Sequence, residues 1–218
     1  MVENVNTKDY WESRFFLKNW NKSGRKQTYE YARANVAQMN ITPEFNGTIL
    51  DFGCALGDAL PVYSLRFPIA KLYGIDISEN AVIECKKRFG SLAQFRTGDV
   101  EKVTFTNVII ASHVMEHFSN DREIVKKLLS KCNDLFLFVP FKENPLYHEH
   151  VNYYTEKYYD EFNVVEKKMF VVNYKSLLST LSIIKNIIRF RFTFNYQFSK
   201  DIIMYHLKGE NNPTDASN

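Results

Sequence analysis

The stretch Thr48 to Leu60, TILDFGCALGDAL, decides the fold. An apolar run ends in Asp51, glycines follow at Gly53 and Gly57, and a helix-compatible segment begins at Asp58. This is how a β-strand hands over to a helix through a loop tight enough for a nucleotide-like ligand to touch the backbone. The loop is not one for phosphate. Asp51 sits just before the turn, and Asp58 stands where a dinucleotide loop (G-x-G-x-x-G) would have its third glycine. A pyrophosphate there would meet carboxylates in a poorly solvated pocket, where like charges repel strongly. An adenosine compound with no phosphate and a cationic end fits better.

On either side of this loop the apolar pattern alternates between strand and helix periods. Residues 7–18 and 25–39 read as helices, the first with an aromatic cluster at Tyr10, Trp11, Phe15, Phe16 and Trp20. After the strand at 48–52 the pattern predicts a helix over 58–67, with Pro61 tolerable in its first turn. A strand over 70–75 then ends at Asp76, and Ser78 caps a helix over 79–89. Strands follow at 92–97 and 107–112, a helix at 120–131, and a strongly apolar strand at 134–140, LFLFVP, suited to burial on both faces. A short helix over 155–162 and late strands at 164–172 and 202–207 complete the expectation; residues 174–198 mix both signals. The β-α-β-α-β-β-α-β order predicts an α/β fold with an open, mostly parallel sheet and helices on both faces. The ligand should lie at the carboxyl ends of the strands, at the switch point between the first and fourth. Asp51, Asp76, Asp99 and Ser112 all fall at or next to those ends, so four independent segments point at one crevice.

The 218 residues suffice for one generous domain with a real core. Hydrophobic residues make up 45% and the net charge is +3, a globular composition with no call for nucleic acid. Cys54, Cys85 and Cys132 lack metal-ligand spacing and read as reduced thiols of a cytoplasmic protein. No secretory signal is visible, no apolar run is long enough to span a membrane, and residues 210–218 have the composition of a disordered tail. One domain over 1–209 is expected: a helical lid at 1–40, a cofactor-binding core at 46–140, and a substrate-side loop, late strands and cap at 141–209.

Taken together, ILDFGCALG, YGIDIS, TGDVE and IIASHVMEHF resemble the ordered motifs of class I S-adenosylmethionine-dependent methyltransferases, best over residues 46–165. The segment VPFKENPLYHEHVNYYT resembles one that recurs in their small-molecule branch. The resemblance implies a Rossmann-like, doubly wound, seven-stranded sheet and S-adenosyl-L-methionine as cofactor. Two departures are visible: Ala55 replaces the second loop glycine, and SKCND replaces the glycine-rich turn before the fifth strand.

The resemblance assigns the loop residues Gly53, Cys54, Ala55 and Gly57 to the methionine part of the cofactor, and Asp51 to its amino group. Asp76, 19 positions after Gly57, would accept from both ribose hydroxyls, because a carboxylate offers two acceptor oxygens. Ile77 would pack on the adenine. Asp99 would accept from the adenine amine with Val100 offering its N–H, though Gly98-Asp99 equally suits a plain turn. Ser112 would meet the cofactor's amino group through its carbonyl. Arg14, with Tyr10, would close over the cofactor and pair its carboxylate, or would sit solvated on an amphipathic lid helix. His113, His148 and His150 are the candidate bases, since imidazole titrates near neutrality; the two in H-x-H equally suit a loop brace. His117 is one helical turn after His113 if that segment is helical, and Glu116 would then point off their shared face, so no metal is expected. Lys185–Phe198 alternates basic and aromatic residues, as an edge strand with one wet face would. The expected activity is methyl transfer to a small-molecule or sugar-linked hydroxyl, of surface polysaccharide or secondary metabolism. An N-methyl acceptor, a nicotinamide-dependent oxidoreductase and a non-catalytic partner are the other readings; the N-P-P-Y sequence of base methylation is absent.

Overall fold

The computed structural model describes residues 5–20, 24–174 and 198–209. Two helices, α1 (Lys8–Phe16) and α2 (Gly24–Gln38), precede the sheet. Then come β1 (Thr48–Phe52), α3 (Leu60–Arg66), β2 (Lys71–Asp76), α4 (Glu79–Phe89), β3 (Gln94–Thr97) and β4 (Thr106–Ser112). α5 (Asp121–Leu129), β5 (Cys132–Pro140), β6 (Val164–Tyr174) and β7 (Phe198–Lys208) complete the order. The sheet has seven strands in the order β3-β2-β1-β4-β5-β7-β6. β1 to β5 pair in parallel, and β7 runs antiparallel between β5 and β6. The chain reverses its direction of progress across the sheet between β1 and β4, so the predicted switch point is where the sequence put it.

Local chemistry explains the elements. Thr7 caps α1 by accepting from the N–H of Tyr10, and Ser78 caps α4 by accepting from Ala81. α4 carries Glu79 in its first turn and Lys86, Lys87 and Arg88 in its last, which suits its dipole. Alternating side chains of each strand go to opposite layers. Ile49, Ile110, Phe136 and Phe138 pack with Tyr31, Tyr63 and Val82 on one face. Leu50, Ile109, Leu135 and Leu137 pack with Val125 and Leu128 of α5 on the other. β5 shows no polar alternation in its second half because both its faces are covered.

Three expectations need correction. Residues 156–161 form successive turns, not a helix. The hydroxyls of Tyr154, Tyr158 and Tyr159 all reach the buried carboxylate of Asp121, at 3.2, 3.4 and 2.6 Å, and this anchor replaces helical periodicity. α3 begins at Leu60, two residues late, with no side-chain cap. The segment after β4 makes only a 3-10 turn, Met115–His117, so His113 and His117 share no α-helical face. The ambiguous stretch 174–198, the edge strand read over Lys185–Phe198 and the disordered tail fall wholly or largely outside the described residues. Among those residues no helix is long and apolar enough to cross a membrane.

Asp121→Ala should destabilise the fold by about 2–4 kcal/mol, because buried tyrosine hydroxyls lose their acceptor. Urea unfolding followed by circular dichroism checks this, and a loss under about 0.5 kcal/mol would remove the anchor argument.

Candidate active site

The loop after β1 is held by backbone bonds to β2. Gly53 and Cys54 both donate to the Ile75 carbonyl, at 2.9 and 3.0 Å. Gly53 and Gly57 have φ of 74° and 77°, values that only glycine adopts easily. A Cβ on Gly53 would also lie 2.5 Å from Val114 Cγ2. Ala55 adopts φ 47°, so this replacement of the second glycine carries backbone strain as well as an extra methyl. Asp76 compensates: its carboxylate accepts the N–H of Ala55 at 2.8 Å and of Ser78 at 2.9 Å.

Two carboxylates flank this loop at the strand ends. Asp51 is 4% exposed and Asp76 is 7% exposed. Burial, then the charge of Asp76, pushes Asp51 up to about 7. Burial pushes Asp76 up to about 6 against the backbone N–H groups of Ser78, Ala55 and Ile77, helped by the charge of Glu12. No ion pair to either acid occurs among the described residues. Asp58 differs: Arg88 grips it with both terminal nitrogens, and Arg25 Nε lies at 3.3 Å. Its charge is answered, so the case against phosphate rests on Asp51 and Asp76 alone.

The remaining expected residues lie around this core. Ile77 is half-buried next to Asp76, and Val100 is buried. Asp99 is exposed and caps the short Val100–Lys102 turn by accepting from Glu101 at 3.0 Å. Ser112 Oγ accepts from Asn35 at 2.9 Å, which ties α2 to the end of β4. Cys54 is a buried thiol; the hydrogen bond with Cys85 and burial push its pKa well up, leaving it inert.

Four of the five histidines gather on the loops after β4 and β5. His113, at φ 55°, stacks on Tyr31 with ring centroids 3.9 Å apart. Its Nδ1 lies 3.1 Å from Glu116, and its Nε2 is buried with no partner. Glu116 does not point away, as the helical reading had it. It is buried between His113 and the Nε2 of His150, which is 3.9 Å off. Burial pushes its carboxyl up, but the hydrogen bond from His113 and the charges of His113, His117 and His150 prevail and hold it low. His117 braces the loop after β5, with Nδ1 3.1 Å from the Glu149 carbonyl. His150 Nδ1 bonds Glu143. His148 is mostly exposed, 3.5 Å from Glu149.

A family model described as a methyltransferase domain matches residues 24–162, from α2 through the histidine loop. The chain is a class I S-adenosylmethionine-dependent methyltransferase-family protein. Its fold is similar to a chain from the complex of the Haloferax volcanii Trm112 methyltransferase activator with a methyltransferase. That likeness has a TM-score of 0.65 at 12% identity, covering 92% of this chain and 98% of the other. The plantazolicin methyltransferase BpumL, solved with S-adenosylhomocysteine, gives 0.59 at 16% identity over 93% and 94%. Coclaurine N-methyltransferase, bound to N-methylheliamine and S-adenosylhomocysteine, gives 0.59 at 12% over 84% and 71%. At these identities the likeness is one of fold. No curated protein matches the chain.

In this methyltransferase-family chain α1 lies over the glycine loop. Phe15, with Trp11 and Trp20, packs on Ala55, Leu56 and Ala81. Two acids anchor the arrangement, and motif reading passed over both. Glu12 accepts from Ser78 Oγ and from Asn80 Nδ2, the latter at 2.9 Å, at the start of α4. Glu149, 3% exposed, takes both Arg14 and the Tyr10 hydroxyl. Arg14 is therefore engaged with protein, and its buried Nε has no partner. The sequence signals were the i, i+4 pair Tyr10/Arg14 and the acid inside H-x-H.

The ordinary Asp51 value is 3.8, and the folded value is about 7. The folded state therefore keeps a proton that the unfolded chain releases, and stability falls as pH rises through that window. Asp51→Asn should melt above wild type at about pH 8, by roughly 2–4 °C per kcal/mol relieved, and the gap should close near pH 4. Thermal melts of cofactor-free protein test it; a variant melting below wild type at the higher pH contradicts it.

Proposed function

We propose that this protein transfers a methyl group from S-adenosyl-L-methionine to a small-molecule acceptor, at a hydroxyl of a sugar or metabolite. The pair of buried acids at the ends of β1 and β2, neither of them ion-paired among the described residues, carries the reading. A buried carboxylate wants a cation or hydrogen-bond donors. The cofactor brings an ammonium for Asp51 and a vicinal diol for Asp76, and no phosphate to repel them. Asp76 uses one lone pair of each oxygen on the backbone and keeps others for the ribose. Ile77 and Val100 flank the adenine, Asp99 receives its amine, and the Ser112 carbonyl adds a second acceptor for the ammonium. Gly53, Cys54, Ala55 and Gly57 line the methionine portion. Release of Arg14 from Glu149 would let it pair the cofactor carboxylate.

When bound, S-adenosylmethionine supplies an electrophilic methyl with a neutral leaving group, so no acid is needed. The protein's contribution is alignment in a dry site, where effective molarities reach about 10⁵–10⁸ M. Trp11, Phe15 and Trp20, packed on Ala55, Leu56 and Ala81, would keep water from it. A hydroxyl acceptor must lose a proton, and His113 is the base we propose. Glu116 orients it through Nδ1, which leaves the unpartnered Nε2 to receive the proton. His150 is held by Glu143 and His148 faces solvent; both suit acceptor contact better than proton abstraction.

Purified protein should convert S-adenosylmethionine to S-adenosylhomocysteine with at least one member of a sugar and hydroxylated-metabolite panel, read by mass spectrometry. Methylation at nitrogen in that panel would reassign the acceptor atom. Asp76→Ala should weaken S-adenosylhomocysteine binding by about 10–100-fold in calorimetry while the circular dichroism spectrum is kept. His113→Gln should lower kcat by about 10²–10⁴ with cofactor affinity unchanged. Unaltered cofactor affinity in the Asp76 variant would remove the ribose assignment, and unaltered kcat in the other would remove the base.

A further inference from the structure

Three groups converge beside the exit of β4 from two separate segments. Glu116 and His117 come from the 3-10 turn Met115–His117, and His150 comes from the loop after β5. A nitrogen of each histidine and a carboxylate oxygen of Glu116 all lie within 4.8 Å of one another. The two imidazole rings meet edge-on, with centroids 5.2 Å apart.

Each histidine has one nitrogen already engaged. His117 Nδ1 faces the backbone carbonyl of Glu149 at 3.1 Å. A carbonyl only accepts, so Nδ1 carries the proton and Nε2 is left as a lone pair. His150 Nδ1 bonds the Glu143 carboxylate, which is held in turn by Lys200 Nζ at 2.6 Å. That leaves the His150 Nε2, 3.9 Å from Glu116 Oε1, as its inward atom. An oxygen acceptor behind each ring is the arrangement that fixes the tautomer and raises the basicity of a metal-binding imidazole. Glu116 supplies the independent observation. Its side chain is 1% exposed, and Oε2 is buried without a hydrogen-bond partner. Oε1 is engaged by His113, so Oε2 is the oxygen that stands spare. Of the buried side-chain atoms without a partner, it is the only carboxylate oxygen among the described residues, and its carboxylate lies against two imidazole rings.

We propose that Glu116, His117 and His150 hold a divalent first-row transition-metal ion. Two neutral nitrogens and one carboxylate suit Zn²⁺, Co²⁺, Mn²⁺ or Fe²⁺ better than Ca²⁺, which takes oxygen. Three protein ligands leave coordination positions open. Only the consequence rests on the methyl-transfer reading: an acceptor oxygen in an open position would have its pKa lowered, next to His113.

The test uses full-length protein stripped with a chelator and titrated with Co²⁺ and Zn²⁺. One Co²⁺ per chain should bind and give a visible absorption band of a site with nitrogen ligands. Glu116→Gln and His150→Ala should each weaken uptake at least tenfold, and His148→Ala, a neighbouring exposed histidine, should not. Glu143→Gln keeps every ligand and should weaken uptake by about 10–100-fold through loss of orientation alone. Circular dichroism and S-adenosylhomocysteine titration of the same samples report fold and cofactor site. No stoichiometric uptake by wild type overturns the metal site, even if the cofactor product binds. Uptake equal to wild type in both folded ligand variants also overturns it. Uptake without any binding of S-adenosylhomocysteine supports the metal and sinks the cofactor reading instead.

Discussion

The carboxylate of Asp76 receives the N–H of Ala55 from one strand exit and that of Ser78 from its own, and so binds the ends of β1 and β2 together. The same bond makes Ala55 tenable in a left-handed conformation that a glycine would adopt freely. Gly53, which a side chain would drive into Val114, brings the β4 exit against the same loop. The switch point is thus built from backbone closeness, with buried carboxylates set around it.

Charge decides the rest. Three acids surround the loop, and they are treated differently. Asp58 is gripped by Arg88 and Arg25 and stabilises the helix side of the turn. Asp51 and Asp76 have no such partner among the described residues, and burial holds both well above the usual carboxylate range. Helix α1 adds to the imbalance, because its Glu12 reaches Ser78 and Asn80 beside Asp76. Buried acids without ion-pair partners, beneath α1, favour a ligand that brings positive charge and hydroxyls. Further along β4 the imbalance is of another kind: His113, His117 and His150 surround one buried carboxylate, Glu116.

The sheet was legible because each strand announced itself through a boundary residue with a physical task. Thr48–Phe52 ended at Asp51-Phe52 before glycine, Asp76 preceded the Ser78 cap, and the apolar Leu135–Val139 run had to be buried on both sides. Contacts between segments distant in sequence were less legible. Glu116 read as off-face only because a helix was assumed after Ser112; the positive φ of His113 turns the chain and sends Glu116 inward. Arg14 finds Glu149 across 135 positions, a pairing no local pattern displays. The turns at 156–161 follow from three tyrosines sharing Asp121, a tertiary anchor that outweighs helix propensity.

Proton linkage on cofactor binding tests the central claim most directly. S-adenosylhomocysteine is titrated calorimetrically at about pH 6.5 in two buffers of different ionisation enthalpy. An ammonium arriving beside Asp51 must favour its ionised form, so binding should release protons, and affinity should rise with pH until Asp51 and Asp76 are fully ionised. Tight binding with no proton release, or with uptake, would contradict the account, as would no binding at millimolar concentration.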